Sequence, residues 1–204
     1  MNRVKNIIFD LGGVFINLDY SKTRDAFIEA GVHNFNELYT QHHVTPAFHQ
    51  LEVGSITPEM FYERLREQTG IALSDAFIKN AWNAMLLNFP EERILWLKEI
   101  KERYRIFLFS NTNQIHYDHF MNTFNRQFAG KGFNSYFIKA YYSHEMGLRK
   151  PDEAAFRFIL NEQQLNPAET LFIDDTEGNI EGAKKVGLQT ILLLPPQTVL
   201  TLGL

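Results

Sequence analysis

The chain has 204 residues, 45% hydrophobic and 22% charged, the mix of a folded globular protein and not of a disordered one. Its 20 Lys and Arg against 24 Asp and Glu leave a net charge of −4 with no basic stripe, which argues against nucleic acid as a ligand. With no cysteine, disulfides, thiolate metal sites and a cysteine nucleophile are excluded. No apolar stretch reaches membrane-spanning length, and the amino-terminal MNRVKNIIFDLGG meets an acidic residue too soon for a secretory leader. A soluble cytoplasmic protein is expected.

The first predicted strand is the apolar run Asn6–Phe9, ended by Asp10 and then Leu11-Gly12-Gly13. From about Tyr20 to Phe89 no buried strand is evident and the pattern reads as several helices. Thr57-Pro58-Glu59 is an N-cap followed by a first-turn proline, with Phe61 and Leu65 on one face and Gly70 at the end. Ser74-Asp75 starts another helix, carrying Phe77, Ile78, Ala81 and Trp82. Pro90 opens a helix in which Ile94, Leu97, Ile100 and Tyr104 recur at helical spacing. A second strand, Ile106–Phe109, runs into Ser110-Asn111, and a weaker run, Phe137–Tyr142, reads as a further strand. Pro151 opens a helix with Phe156, Ile159 and Leu160 as its stripe. Thr170–Ile173 leads into Asp174-Asp175, and Ile180, Ala183 and Val186 mark a helix that Gly187 can end. The last run is Thr190–Leu194, before Pro195.

Continuous apolar runs of this length suit strands buried on both faces of a parallel sheet. Strand and helix in alternation predict an open α/β sheet. Residues 1–19 and 90–204 are expected to form that core, with residues 20–89 inserted as an α-helical cap.

Four places could carry chemistry. Asp10 follows a strand directly, where parallel sheets place ligands, although a carboxylate there also serves an ordinary turn. Asp174-Asp175 puts two carboxylates at another strand end, where they repel each other unless a cation or donors satisfy them. Hard oxygen ligands of this kind suit Mg²⁺, and a solvated turn is the other reading. Ser110-Asn111 offers neutral donors suited to phosphate oxygens, or a simple helix cap. Lys150, in Gly147-Leu148-Arg149-Lys150-Pro151-Asp152, is either a surface charge or the cation that balances Asp10 and a bound phosphate. The seven histidines, including the adjacent His42-His43 and the isolated His49, show no metal-ligand spacing. No P-loop, GxGxxG or nucleophile-elbow serine is present.

In order and spacing, Asp10, Ser110, Lys150 and Asp174-Asp175 resemble the four motifs of the haloacid dehalogenase-like hydrolase superfamily. FSNTN, GLRKPD and FIDDTEGNIEGA carry the resemblance together. FDLGGVFINLD and the stretch AFHQLEVGSIT are similar to one branch, the bacterial α-glucose-1-phosphate phosphatase type. The resemblance implies a Rossmann-like core with an inserted helical cap and a Mg²⁺-dependent phosphatase of a small phosphorylated metabolite, such as a sugar phosphate. It gives Asp10 as the nucleophile that forms an aspartyl-phosphate and as a metal ligand. The Gly12 carbonyl and Asp175 would be further ligands, with Asp174 close by or acting through water. Ser110 and Asn111 would hold phosphate oxygens, and Lys150 would balance charge. Phe48, His49, Glu52 and Gly54 are the cap residues expected to set specificity.

Gly12 departs from the common pattern. Most phosphatases of the superfamily have a second aspartate there, as general acid and base, an effect typically worth ~10²–10⁴-fold. Two other readings follow. One is a metal-independent 2-haloacid dehalogenase, against which the acidic doublet counts. The other is a catalytically weak domain that binds a phosphorylated metabolite for regulation, for which Gly12 is the support.

Overall fold

In the computed structural model, described over residues 4–40, 43–128, 130 and 132–204, seven strands and ten α-helices follow in chain order. After β1 (Asn6–Phe9) come α1 (Tyr20–Glu29), α2 (Phe35–Leu38) and a small hairpin, β2 (Tyr39–Thr40) and β3 (His43–Val44). Then follow α3 (Pro46–Glu52), α4 (Pro58–Thr69), α5 (Asp75–Asn83) and α6 (Glu91–Ile100). The remainder is β4 (Arg105–Ser110), α7 (Gln114–Gln127), β5 (Lys139–Tyr142), α8 (Ser143–Met146), α9 (Glu153–Glu162), β6 (Thr170–Asp174), α10 (Glu177–Lys185) and β7 (Gln189–Leu192). Among the described residues no helix is long and apolar enough to cross a membrane. His42 lies outside the described residues.

Five strands form one parallel sheet in the order β5-β4-β1-β6-β7, the α/β core expected from the alternation of runs. Helices cover both faces, which explains why the strands are apolar without alternation. Ile7 and Phe9 face one layer with Leu108 and Ile173, against Leu97 of α6 and Phe124 of α7. Ile8, Phe107, Phe109 and Phe172 face the other, against Phe156 and Ile159 of α9 and Ile180 of α10.

Residues between β1 and α6 build a second, aromatic cluster. Phe27, Phe35, Phe48, Phe61 and Trp82 are its buried rings, and Ile115 at the start of α7 joins it. The chain crosses into this cluster and back along two segments that bond to each other. Asn17 N–H donates to the Asn88 carbonyl, Leu87 N–H to Asn17 and Asp19 N–H to Met85, at 3.0, 3.0 and 2.9 Å. Its helices start where their caps predict: Thr57 Oγ1 accepts from Met60 N–H and Ser74 Oγ from Phe77 N–H.

Some boundaries differ from expectation. The hairpin β2–β3 interrupts a stretch that reads as wholly helical. Pro90 occupies the N-cap of α6, and α9 begins two residues after Pro151 with Asp152 at its N-cap. Helix α7 is missing from the sequence reading because Tyr117, His116 and His119 blur its apolar stripe. Its signal is Asn113, whose side chain caps the helix by accepting from His116 N–H.

Candidate active site

Parallel register brings the strand ends together. Phe9 pairs with Leu108 on one side and Ile173 on the other, so Asp10 emerges level with Asp174 and one residue short of Ser110. β1 is central, with chain crossing to both sides of it, and such a point is where open sheets bind ligands. A cleft of about 420 Å³ opens there, lined by Asp10, Gly12, Ser110, Asn111, Lys150 and Asp175 from the core and Glu52 from α3.

Lys150 is the organising cation. Its ammonium, 1% exposed, donates to Asp10 Oδ1 and to Asp174 Oδ2, each at 2.7 Å. The rings of Phe109 and Phe172 lie 5.3 and 5.5 Å away, so the charge is enclosed on its apolar side. Burial pushes the lysine pKa down, but Asp10 and Asp174 outweigh it and hold the ammonium above its ordinary value. For Asp10 burial dominates, with Asp174 and Asp175 adding repulsion, and overcomes the attraction of Lys150. Its pKa is pushed up to about 7. Asp175 is raised as well, by burial first and then by Asp174.

The two aspartates of the doublet have different surroundings. Asp174 is fully buried and accepts from Lys150, from Thr176 N–H and, at both oxygens, from Asn179 Nδ2. Asp175 borders the cleft, and its carboxylate accepts from Thr176 Oγ1, at 3.1 Å. Gly13, at φ +66°, is what lets Asp175 in: a Cβ there would lie 2.4 Å from Asp175 Oδ2.

Ser110 is buried beside the cleft, and among the described residues its hydroxyl makes only a 3.5 Å contact, with the Asn111 carbonyl. The Asn111 amide also bonds to the backbone of Lys150. Its Nδ2 donates to the Lys150 carbonyl and its Oδ1 accepts from Lys150 N–H, both at 2.9 Å. That clamp positions the lysine and uses both ends of the amide.

Of the four cap candidates, Glu52 alone lines the cleft. Phe48 is in the aromatic cluster, packed on Phe61 and Trp82. One residue on, the helix has turned by about 100° and carries His49 to solvent. Gly54, at φ +66°, touches the core: a Cβ would lie 2.0 Å from the His144 carbonyl. Beside it, Ser143 Oγ lies 2.7 Å from the Glu52 carbonyl as donor and accepts from Thr112 N–H at 2.9 Å. Sequence reasoning missed Arg149, His116, Tyr20 and Tyr39, which also line the cleft. Arg149 stood next to a recognised motif residue, whereas only the fold brings the other three to the site.

Could this cluster hold a metal? Asp10, Asp174 and Asp175 each offer an oxygen, all within 4.8 Å of one another. Three carboxylates against one ammonium leave an excess of negative charge, and all-oxygen donors suit a hard divalent cation. The residues fit Mg²⁺.

The model of the haloacid dehalogenase-like hydrolases matches residues 7–193. D-ribitol-5-phosphate phosphatase of Bacteroides thetaiotaomicron is 31% identical over 92% of this chain and 90% of its own length. A family enzyme of the same organism, crystallised as an aspartate-to-alanine variant with magnesium and inorganic phosphate, is 35% identical with a TM-score of 0.89, over 95% and 96% of the two chains. A hydrolase of this type from Porphyromonas gingivalis, 32% identical, aligns with a TM-score of 0.82 over 92% and 90%. The chain belongs to the haloacid dehalogenase-like hydrolase family. It is a hydrolase of the phosphomonoesterase kind, and Mg²⁺ is the cofactor of that class.

Proposed function

We propose that the protein is a Mg²⁺-dependent, cytoplasmic phosphatase of a small sugar or sugar-alcohol phosphate, acting through an aspartyl-phosphate on Asp10 beneath a cap of residues 20–89. The observation that carries this reading is Lys150, buried and 2.7 Å from both Asp10 and Asp174, in a cluster whose carboxylates exceed its cations. A dehalogenase needs no such excess of hard ligands.

The residues have separable tasks. Asp10 presents one oxygen to Lys150, which fixes the rotamer and leaves the other oxygen to attack phosphorus. Asp10, the Gly12 carbonyl and Asp175 would hold Mg²⁺, while Asp174 keeps Lys150 and Asn179 in place. Bound Mg²⁺ supplies the positive charge that lets an anionic carboxylate approach an anionic phosphate. Ser110 reaches phosphate oxygens, and Asn111 acts through its clamp on the Lys150 backbone. Phosphoryl transfer needs this positioning and charge compensation more than elaborate covalent machinery.

The ribitol 5-phosphate of the Bacteroides relative and the glucose 1-phosphate suggested by sequence resemblance are both polyhydroxylated monoesters. The proposal is made for that class. It is tested by assaying sugar phosphates, pentitol phosphates and 4-nitrophenyl phosphate with Mg²⁺ and with chelator, for wild type and Asp10→Asn. Turnover should need the metal and fall to background in Asp10→Asn, whose amide cannot form the acyl-phosphate. Metal-free enzyme that cleaves chloroacetate but no phosphate ester would establish the dehalogenase reading instead.

A further inference from the structure

Cap and core also meet at a second ion pair, away from the lysine. Arg149 Nη2 lies 3.1 Å from Glu52 Oε2, and both residues border the cleft. The alignment is not that of a hydrogen bond. Glu52 Oε2 and Arg149 Nε are buried, and neither has a hydrogen-bond partner among the described residues. A buried polar group in that state is costly, and more so for a charge, unless something binds it. Docking of α3 on the core has contacts of its own, since Ser143 Oγ bonds to the Glu52 carbonyl and Gly54 packs closely against the His144 carbonyl.

His116 adds an independent observation. Its Nε2 lies 3.0 Å from the Trp82 carbonyl, which can only accept, so Nε2 carries the proton. Its ring stacks on Trp82 at 4.6 Å. Burial drives the imidazole pKa down to about 3, so the ring is neutral and Nδ1 keeps its lone pair. The ring lines the same cleft. Cap and core together therefore fix an acceptor at a defined tautomer.

We propose that Glu52, paired with Arg149, and Nδ1 of His116 form a subsite that accepts hydrogen bonds from hydroxyls on the non-phosphorylated end of the substrate. It rests on the phosphatase reading above and narrows its substrates to uncharged polyol and sugar chains. A hydroxyl is donor and acceptor at once, so it can donate to Glu52 and receive from Arg149 Nε. A carboxylate-bearing ester can only accept and leaves Glu52 Oε2 facing a like charge. A plain alkyl chain leaves both groups unbonded.

The test compares kcat/KM for ribitol 5-phosphate and pentyl phosphate, with Mg²⁺, in wild type, Glu52→Gln and His116→Phe. Wild type should prefer the pentitol ester by about 100-fold or more, since a site built for hydroxyls strongly rejects analogues that lack them. Glu52→Gln should cut that preference about 10–100-fold, the value of a hydrogen bond to a charged group. His116→Phe should cut it less, a neutral acceptor being weaker. Equal losses on both esters, or a wild type that hydrolyses pentyl phosphate as well as the pentitol ester, would overturn the subsite. The wild-type comparison decides even if a variant fails to fold. Hydrolysis of no phosphate ester at all, aryl phosphate included, would instead sink the phosphatase reading.

Discussion

Asp174 and Glu52 are both buried carboxylates, and each is paired with a cation from the same loop, Lys150 for one and its neighbour Arg149 for the other. Their surroundings differ sharply. Asp174 receives donors at both oxygens, from Lys150, Thr176 and Asn179, while Glu52 Oε2 receives none. The first pair joins β6 to the loop before α9 entirely within the core. The second joins that loop to α3, in the stretch between β1 and α6. A carboxylate whose bonds are complete can only position others, whereas one with bonds to spare can recognise a ligand. On the proposal above, two adjacent residues of one loop would divide the work between the reacting phosphate and the rest of the substrate.

Removing the cation at the completed end should have the largest effect. Lys150→Met leaves Asp10 and Asp174 buried together without a counter-charge, and breaking a buried pair in this way typically costs about 3–5 kcal/mol. Urea denaturation should show a loss of that size, together with loss of turnover. A loss below about 1 kcal/mol would mean that another group balances the cluster.

A smaller effect should appear with pH in the metal-free protein. Asp10 ionises near 3.8 when unfolded and near about 7 when folded, because burial outweighs Lys150. Between those values the folded chain holds a proton that the unfolded chain has lost. The stability from this group is therefore complete below the lower value and disappears as pH rises through the upper one. The melting temperature in chelator should fall as pH rises from about 4 to about 7 and level off above that, and Mg²⁺ should restore it by binding the ionised form. A flat profile in chelator, or the same slope in Asp10→Asn, would assign the effect elsewhere.

How visible were these two ends in the sequence? The sheet was legible because Asn6–Phe9, Ile106–Phe109 and Thr170–Ile173 are apolar on both faces, a pattern that helices on only one face would not require. One end of the cleft was legible for a related reason: its residues end or closely follow a strand or, for Lys150, stand just before Pro151 and α9, so sequence position nearly fixes spatial position. The end formed by α3 and α7 was not. Glu52 reaches the cleft from the last turn of a seven-residue helix, and its neighbours Phe48 and His49 point into the aromatic cluster and into solvent. His116 faces the cleft only because Trp82, 34 residues earlier, stacks on it and fixes its proton. Contacts of that range leave no local signature. Asn111 shows the converse, since its place at a strand end is plain from sequence but its partner, the Lys150 backbone, is not.

The smallest expected effect concerns Gly12, which lies between the two ends. Without a carboxylate there, the departing oxygen must leave with more negative charge, and aryl or anomeric oxygens tolerate that better than an ordinary alkoxide. The site should therefore favour aryl and one-phosphate esters over six-phosphate esters, and Gly12→Asp should help the poor leaving groups most. The backbone allows the substitution: unlike Gly13, Gly12 does not have positive φ. A Cβ would lie 2.8 Å from Leu18 Cδ1, the far end of a flexible side chain that can rotate away, and 3.9 Å from Asp10 Oδ2. Because Leu18 must yield and the new carboxylate must find its own orientation, the gain should be about tenfold on alkyl esters, short of the roughly 10²–10⁴-fold of an evolved acid. The measurement is the ratio of kcat/KM for the one-phosphate and six-phosphate isomers of one sugar, in both proteins. A wild type that already prefers the six-phosphate, with a ratio that Gly12→Asp leaves unmoved, would show that another cleft residue supplies the proton. Tyr20, whose side chain lines the same cleft, is then the group to change.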